Sequence, residues 1–213
     1  MLLLNFVLPT IFAVTTAAEA APRPEQVHLQ LQTGVLSREA LRVEEGDHER
    51  TTTQLGPGAG GVGLSGGYLF RPHSELGARL EMARSTIDDG VSDQSQGQLR
   101  LAATYTHYFR VDGPVHVAAT GMAGLDRSNF DGLAQTRSPF VGLGGSVHWF
   151  ASPRTSLSGG LELTRTLGGR FEEDGMLGSS RFSATDLAAV AGMNFYLGGP
   201  SAKKNGVARA RQR

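Results

Sequence analysis

Seven ionisable side chains stand among alternating apolar and small residues: Arg79, Glu81, Arg100, Glu162, Asp186, His116 and His148. Carboxylates and guanidiniums sharing a confined space can neutralise one another or pass a proton or ion, and two neighbouring histidines can ligate a metal. Nucleophilic hydrolysis needs a Ser, a His and an acid within hydrogen-bond reach. The spacing offers Ser146 with His148, the run His73-Ser74-Glu75, and a separate His107. Two acidic groups, Asp88-Asp89 with Asp93 and Glu172-Glu173-Asp174, have the oxygen ligands of a Ca²⁺ or Mg²⁺ site, but DDGVSDQSQ lacks the EF-hand spacing and its terminal Glu. Arg84 and Arg165 suit bidentate contact with phosphate, for which ordinary snorkelling to a polar boundary is the alternative. There is no Cys, which removes disulfides, thiolate nucleophiles and thiolate metal ligands.

Which of these groups can meet depends on the elements that carry them. Two-residue alternation, the period of a strand, recurs along the chain. Val27, Leu29, Leu31, Thr33 and Val35 share one face of a first strand, with His28, Gln30, Gln32 and Gly34 on the other. Further runs follow at residues 62–70, 76–82, 99–109, 115–125, 141–149, 157–163 and 187–197. Longer polar connections at 37–53, 88–96, 126–138 and 168–182 alternate with tight ones at 71–74, 111–114 and 151–154. That rhythm belongs to an up-and-down antiparallel sheet whose longer loops all open at one end. Eight strands can close such a sheet into a barrel and remove both edges.

The second face of the strands decides which way the barrel is turned. It carries Gly63, Ser65 and Gly67, then Ala102, Thr104 and Thr106, then Gly142, Gly144 and Ser146, then Ser156, Ser158 and Gly160. Small residues suit a narrow interior, so the apolar face points outward to lipid. Both Lys residues, Lys203 and Lys204, lie near the C-terminus and none precedes them. A lipid-facing Lys costs about 2–4 kcal/mol at mid-depth, which accounts for that absence. Tyr68 and Phe70, Phe109, Trp149 and Phe150, and Phe195 and Tyr196 fall near the tight-turn ends of four strands, as an aromatic girdle would. The fold class expected is therefore all-β: an eight-stranded antiparallel up-and-down transmembrane β-barrel.

Residues 1–20 have the apolar run and the Ala18-Glu19-Ala20 site of a secretory signal peptide, without the usual basic start. Residues 21–198 form the barrel, and 199–213 a basic, solvated tail. At this point the sequence resembles the small eight-stranded outer-membrane barrels of the OmpA-barrel and OmpX/Ail kind, over residues 26–197. Gly192, Phe195 and Leu197, in GMNFYL, resemble that family's C-terminal assembly signal, although Val190 stands where a polar residue is usual. The resemblance implies a Gram-negative outer membrane with loops outside and the tail in the periplasm. It implies as partners the barrel-assembly machinery, outer-membrane lipid and lipopolysaccharide, the last through Arg84 and Arg165.

The inward charges Arg79, Glu81, Arg100, Glu162 and Asp186 are expected to form a structural network, and His116 and His148 a hydrogen-bonded plug. Some barrels of this kind are lipid A deacylases, whose Ser, His and acid must sit on the outer surface. Here Ser146 and His148 face inward and His73-Ser74-Glu75 is placed in a tight turn, so no enzyme, metal or cofactor is expected. Balanced charge, 20 basic against 20 acidic residues, and export exclude nucleic acid. The function expected is a structural or surface-contact role through the extracellular loops, toward a partner they do not specify. The alternatives are a narrow transport pore and a soluble periplasmic lipocalin-like carrier.

Overall fold

The computed structural model describes residues 22–43, 48–55, 61–88, 93–110, 113–130, 134–173 and 181–198. The expected signal segment 1–20 and the tail 199–213 lie outside the described residues. Ten strands follow one another: β1 (Gln26–Val43), β2 (His48–Leu55), β3 (Val62–Arg71), β4 (Ser74–Asp88), β5 (Asp93–Arg110), β6 (Val115–Phe130), β7 (Ala134–Ser152), β8 (Thr155–Thr166), β9 (Gly169–Glu173) and β10 (Arg181–Gly198). Neighbours pair antiparallel, and β1 pairs with β10 from Gln26↔Gly198 to Val43↔Phe182, which closes the sheet.

Two of the ten strands are continuations. β3 lies beside β1 as far as Thr33↔Val62, and β2 takes over from Leu36↔Leu55. In the same way β9 carries on from β8 between β7 and β10. The wall thus has eight strands, as the alternation predicts, but the expected long loops are shorter. Residues 37–43 and 48–55 form a paired hairpin, and β6 and β7 stay paired as far as Phe130↔Ala134. Alternation reads only half-buried strands. These extensions carry polar residues on both faces, so their sequence looks like loop.

The register fixes the barrel's shear. Passing from Val27 to its partner on each strand in turn leads through Tyr68, Leu76, Tyr105, Gly121, Leu143, Leu163 and Leu187 and returns to β1 at Arg38, eleven positions further on. Val35 is the extra residue of a bulge between Gly34 and Leu36, so the shear is ten. Eight strands with that shear tilt about 40° from the axis. Each residue along a strand then advances about 2.5 Å along the axis, and each step to the next strand on a rung climbs about 3 Å.

The outer surface is apolar. Leu31, Leu64, Leu101, Leu125, Leu143, Leu161 and Leu187 are all exposed there. Tyr68, Phe70, Phe109, Trp149 and Phe195 form the aromatic ring at the tight-turn end. Phe150 and Tyr196 do not belong to it: they are buried inside, with Leu69, Tyr108 and Ala118. By the register, Arg38, Arg84, Arg127 and Arg165 stand within about 4 Å of one level, about 25 Å above that aromatic ring. No charged residue occupies the outward face between the two levels among the described residues. A band about 25 Å tall is the hydrocarbon reach of an outer-membrane barrel.

Glycine allows the closest approaches of the wall. A Cβ on Gly124 would press on the Leu101 carbonyl oxygen and come within 2.7 Å of the Ala102 Cα, whereas one on Gly121 would meet nothing within 4 Å. Gly124→Ala is therefore expected to destabilise the barrel by about 1–3 kcal/mol, while Gly121→Ala is neutral or slightly stabilising. Urea unfolding in micelles, followed by Trp149 fluorescence, measures both.

Candidate functional site

The barrel interior is built by inward side chains from β1, from β3 to β8 and from β10. At the tight-turn end lies an aromatic floor. His28 stacks on Tyr196 at 4.7 Å between centroids, and His116 meets Phe150 edge-on at 5.1 Å. Tyr108 contacts His148 in the same edge-on way. Above the floor, His28 Nδ1 faces both Glu75 carboxylate oxygens at 2.9 Å, and the Tyr108 hydroxyl donates to the same carboxylate at 2.9 Å. The other His28 nitrogen lies 3.0 Å from the Asn194 amide oxygen. Glu75 is thus a buried strand residue, not part of a turn. Proximity to Pro72 conceals this, because the turn ends one residue earlier than the sequence suggests.

A cavity of about 50 Å³, room for a few waters, opens next, among Gln30, Ser65, Thr106 and Ser146. Its far side is closed by Arg79. The guanidinium donates to both oxygens of Glu162, at 2.7 and 2.8 Å, and also bonds Glu81. One layer higher, Arg100 Nε donates to Asp126 at 2.9 Å, and its Nη1 stands 3.5 Å from Asp186. Ser37 donates to Asp186 at 2.8 Å and Ser128 to Asp126 at 3.2 Å. Arg100 also lies over the Phe140 ring, 5.6 Å from its centroid. A smaller cavity of about 10 Å³ separates the two layers on the Asp186 side.

The structure thus brings Arg79, Glu81 and Glu162 into one cluster and Arg100 and Asp186 into a second. It adds Asp126 and Glu75, which sequence reasoning assigned to connections. Asp126 lies on the rung of Arg100 and its strand continues to Phe130, so extension of the alternation past Leu125 is the signal that finds it. His116 and His148 are directly opposed on β6 and β7, and both are buried. His148 Nε2 is 2.9 Å from Ser146 Oγ. Among the described residues no group of three or more His, Asp or Glu is placed to hold a metal.

Hydrolytic constellations stay incomplete. Ser74 Oγ lies 3.3 Å from His107 Nδ1 near the tight-turn end, a pair the sequence does not join. Glu75 projects to the other side of the wall, toward His28 and Tyr108. The Ser146–His148 pair faces the barrel interior. Asp89 and Asp174 of the acidic runs lie outside the described residues. Arg84 and Arg165 are exposed on the outer surface. In β10, Gly192 faces inward, where a Cβ would come within 2.9 Å of Ser158 Oγ, while Phe195 and Leu197 face outward.

No protein-family model and no curated protein sequence matches the chain. Solved structures do. Neisserial surface protein A is 12% identical with a TM-score of 0.53, over 79% of this chain and 96% of that one. The outer membrane protein OprG from Pseudomonas aeruginosa is 9% identical with a TM-score of 0.51, over 84% and 99%. Ail of Yersinia pestis is 12% identical with a TM-score of 0.46, over 81% and 99%. At these identities the likeness is one of fold.

Removing one partner from a buried ion cluster leaves the others uncompensated and costs about 3–5 kcal/mol. Arg79→Met is expected to destabilise the barrel by about that amount, and adding Glu81→Gln and Glu162→Gln to recover most of it. Chemical unfolding of the single and triple variants in micelles measures both effects.

Proposed function

Because this chain has the fold of the small eight-stranded outer-membrane β-barrels, we propose that it is a non-enzymatic barrel of a Gram-negative outer membrane that presents rigid hairpins to the cell exterior. The observation that carries this reading is strand length. β5, β6 and β7 run for 18, 16 and 19 residues, where a tilted span of hydrocarbon needs about 9–11. The excess lies beyond the arginine level. It is rich in Thr, Ser, Gln and Asn, as in HERTTTQL of β2 and AQTRS of β7. Paired backbone on a closed wall orders these polar segments in advance, which lowers the ordering cost of contact with a partner relative to a free loop.

In this reading the tight turns and the tail 199–213 face the periplasm. The C-terminal strand, with Phe195 and Leu197 on its outer face, is what the barrel-assembly machinery reads. Arg84 and Arg165 meet the phosphates of lipopolysaccharide. A soluble lipocalin-like carrier does not fit, because the apolar residues point outward and the interior is filled with paired charges. A pore remains the second reading. The four carboxylates of Glu81, Glu162, Asp126 and Asp186 outnumber the two guanidiniums beside them, which would favour cations along any path. The aromatic floor stands against it.

Expressed in a Gram-negative host, the full chain is expected in the outer-membrane fraction, with its unboiled form migrating differently from the boiled form on an SDS gel. An epitope placed between Asp88 and Asp93 should be labelled on intact cells, and one after Arg213 only after permeabilisation. In planar bilayers no steady single-channel steps are expected. Regular cation-selective steps would replace the contact reading with the pore, and release of the protein into the soluble periplasm would sink both.

A further inference from the structure

The small cavity between the two ionic layers has an unbalanced lining. Glu81, Glu162 and Asp186 border it, and Arg100 brings the one guanidinium among the described residues that does. The two clusters together set the carboxylates of Glu81, Glu162, Asp126 and Asp186 against Arg79 and Arg100. Negative charge is therefore in excess inside a lumen packed with side chains. Buried charge without a counter-charge is strongly unfavourable, so something positive has to share the space.

Asp186 is the carboxylate with capacity to spare. Its Oδ1 accepts from Ser37. Its Oδ2 has Arg100 Nη1 at 3.5 Å, beyond the length of about 2.7–2.9 Å for a charge-assisted bond. Directly opposite Asp186 on β8 stands Thr164, which is 6% exposed. A Cβ on Gly142 would come within 2.9 Å of the Thr164 Cγ2, so the methyl faces β7 and the hydroxyl is turned away from it. Thr164 lines the cavity, and its hydroxyl has no hydrogen-bond partner among the described residues. Gly34 borders the same space without filling it, and the bulge at Val35 interrupts the β1 ladder beside it.

At about 10 Å³ the cavity takes one sphere the size of a water molecule. A neutral water would satisfy the Thr164 hydroxyl but not the charge. A divalent ion does not suit the site, because Ca²⁺ takes about six to eight oxygens and Mg²⁺ keeps several waters. Among the described residues no three His, Asp or Glu side chains are placed around one such ion, and Arg79 engages both Glu162 oxygens. An alkali cation needs fewer charged ligands and accepts hydroxyl and carbonyl oxygens. We propose that the cavity bordered by Asp186, Thr164 and Glu81 binds a single monovalent alkali cation, sodium or potassium, which offsets part of the excess charge and ties β8 and β10 to β4 across the lumen. The site needs only the closed ionic lumen, whatever the hairpins contact.

The test is equilibrium urea unfolding of the full chain in micelles at one ionic strength, with sodium or potassium chloride replaced stepwise by choline chloride, whose cation is too large for the cavity. The midpoint is expected to be higher in the alkali salt. With the site saturated, each tenfold rise in alkali cation should lower the unfolding constant by about tenfold. T164V should remove most of that dependence, while T104V, at a residue that lines the larger cavity, should keep it. In crystals of the unaltered chain soaked in thallium(I), an anomalous peak is expected between Thr164 and Asp186, and this peak decides the matter if T164V does not fold. Equal midpoints in alkali and choline salts, or no such peak, overturn the proposal and leave the excess charge to protons. A dependence that T164V keeps in full overturns it in favour of cations elsewhere on the barrel. Stabilisation by calcium that sodium and potassium fail to give overturns it in favour of a divalent site.

Discussion

Hydrocarbon offers no hydrogen-bond partner to a peptide group, and everything else in this molecule depends on that constraint. Each backbone donor and acceptor in the band must be met by another strand, so the sheet has to close, and the pairing of β1 with β10 is where it does. Closure with eight strands and a shear of ten leaves a lumen about as wide as the side chains that line it. Large residues then fit only where neighbours are small. The aromatic floor of Tyr108, Phe150 and Tyr196 sits beside Ala118, and the guanidinium of Arg79 spans to Glu162 on the far wall.

The same closure explains why the interior is ionic. An apolar lumen would give strands apolar on both faces, with no reason to prefer one face for lipid. Charges inside mark the inner face unambiguously, since a strand slipped by one residue would turn Arg79, Glu81 or Arg100 into the hydrocarbon. The clusters thus specify register at least as much as they stabilise, in line with the modest net value of buried ion pairs. The bulge at Val35 is the one place where β1 changes parity, and the residues beyond it respect the new phase: Ser37 faces Asp186 while Leu36 and Arg38 face outward.

Much of this architecture is legible in the sequence because lipid imposes a strict two-residue period. Strand number, inner and outer faces and the end that carries aromatics all follow from it. The partners of the inner charges do not. Arg79 and Glu162 are far apart in the chain, and their meeting depends on the shear, which no local pattern encodes. Glu75 and Asp126 are hidden for a different reason: Glu75 is the second residue of β4, and Asp126 follows the last apolar residue of the alternation in β6, where polar residues look like turn. Phe150 and Tyr196 show the limit of counting aromatics. Each adjoins an outward aromatic residue, and only parity separates the ring that meets the interface from the ring that seals the floor.

The two ends of the barrel also differ in what they would have to leave behind on entering a bilayer. The tight-turn end exposes a few residues per connection. The other end carries paired polar hairpins and a rim of guanidiniums. For a chain that approaches from the tight-turn side, the heavily hydrated end is the leading one, and it must shed its water before any strand reaches its final depth. Spontaneous insertion in that direction faces a high kinetic barrier, and the reverse crossing out of the membrane faces the same one. Once delivered, such a barrel is held in place by the slowness of its exit as well as by its stability.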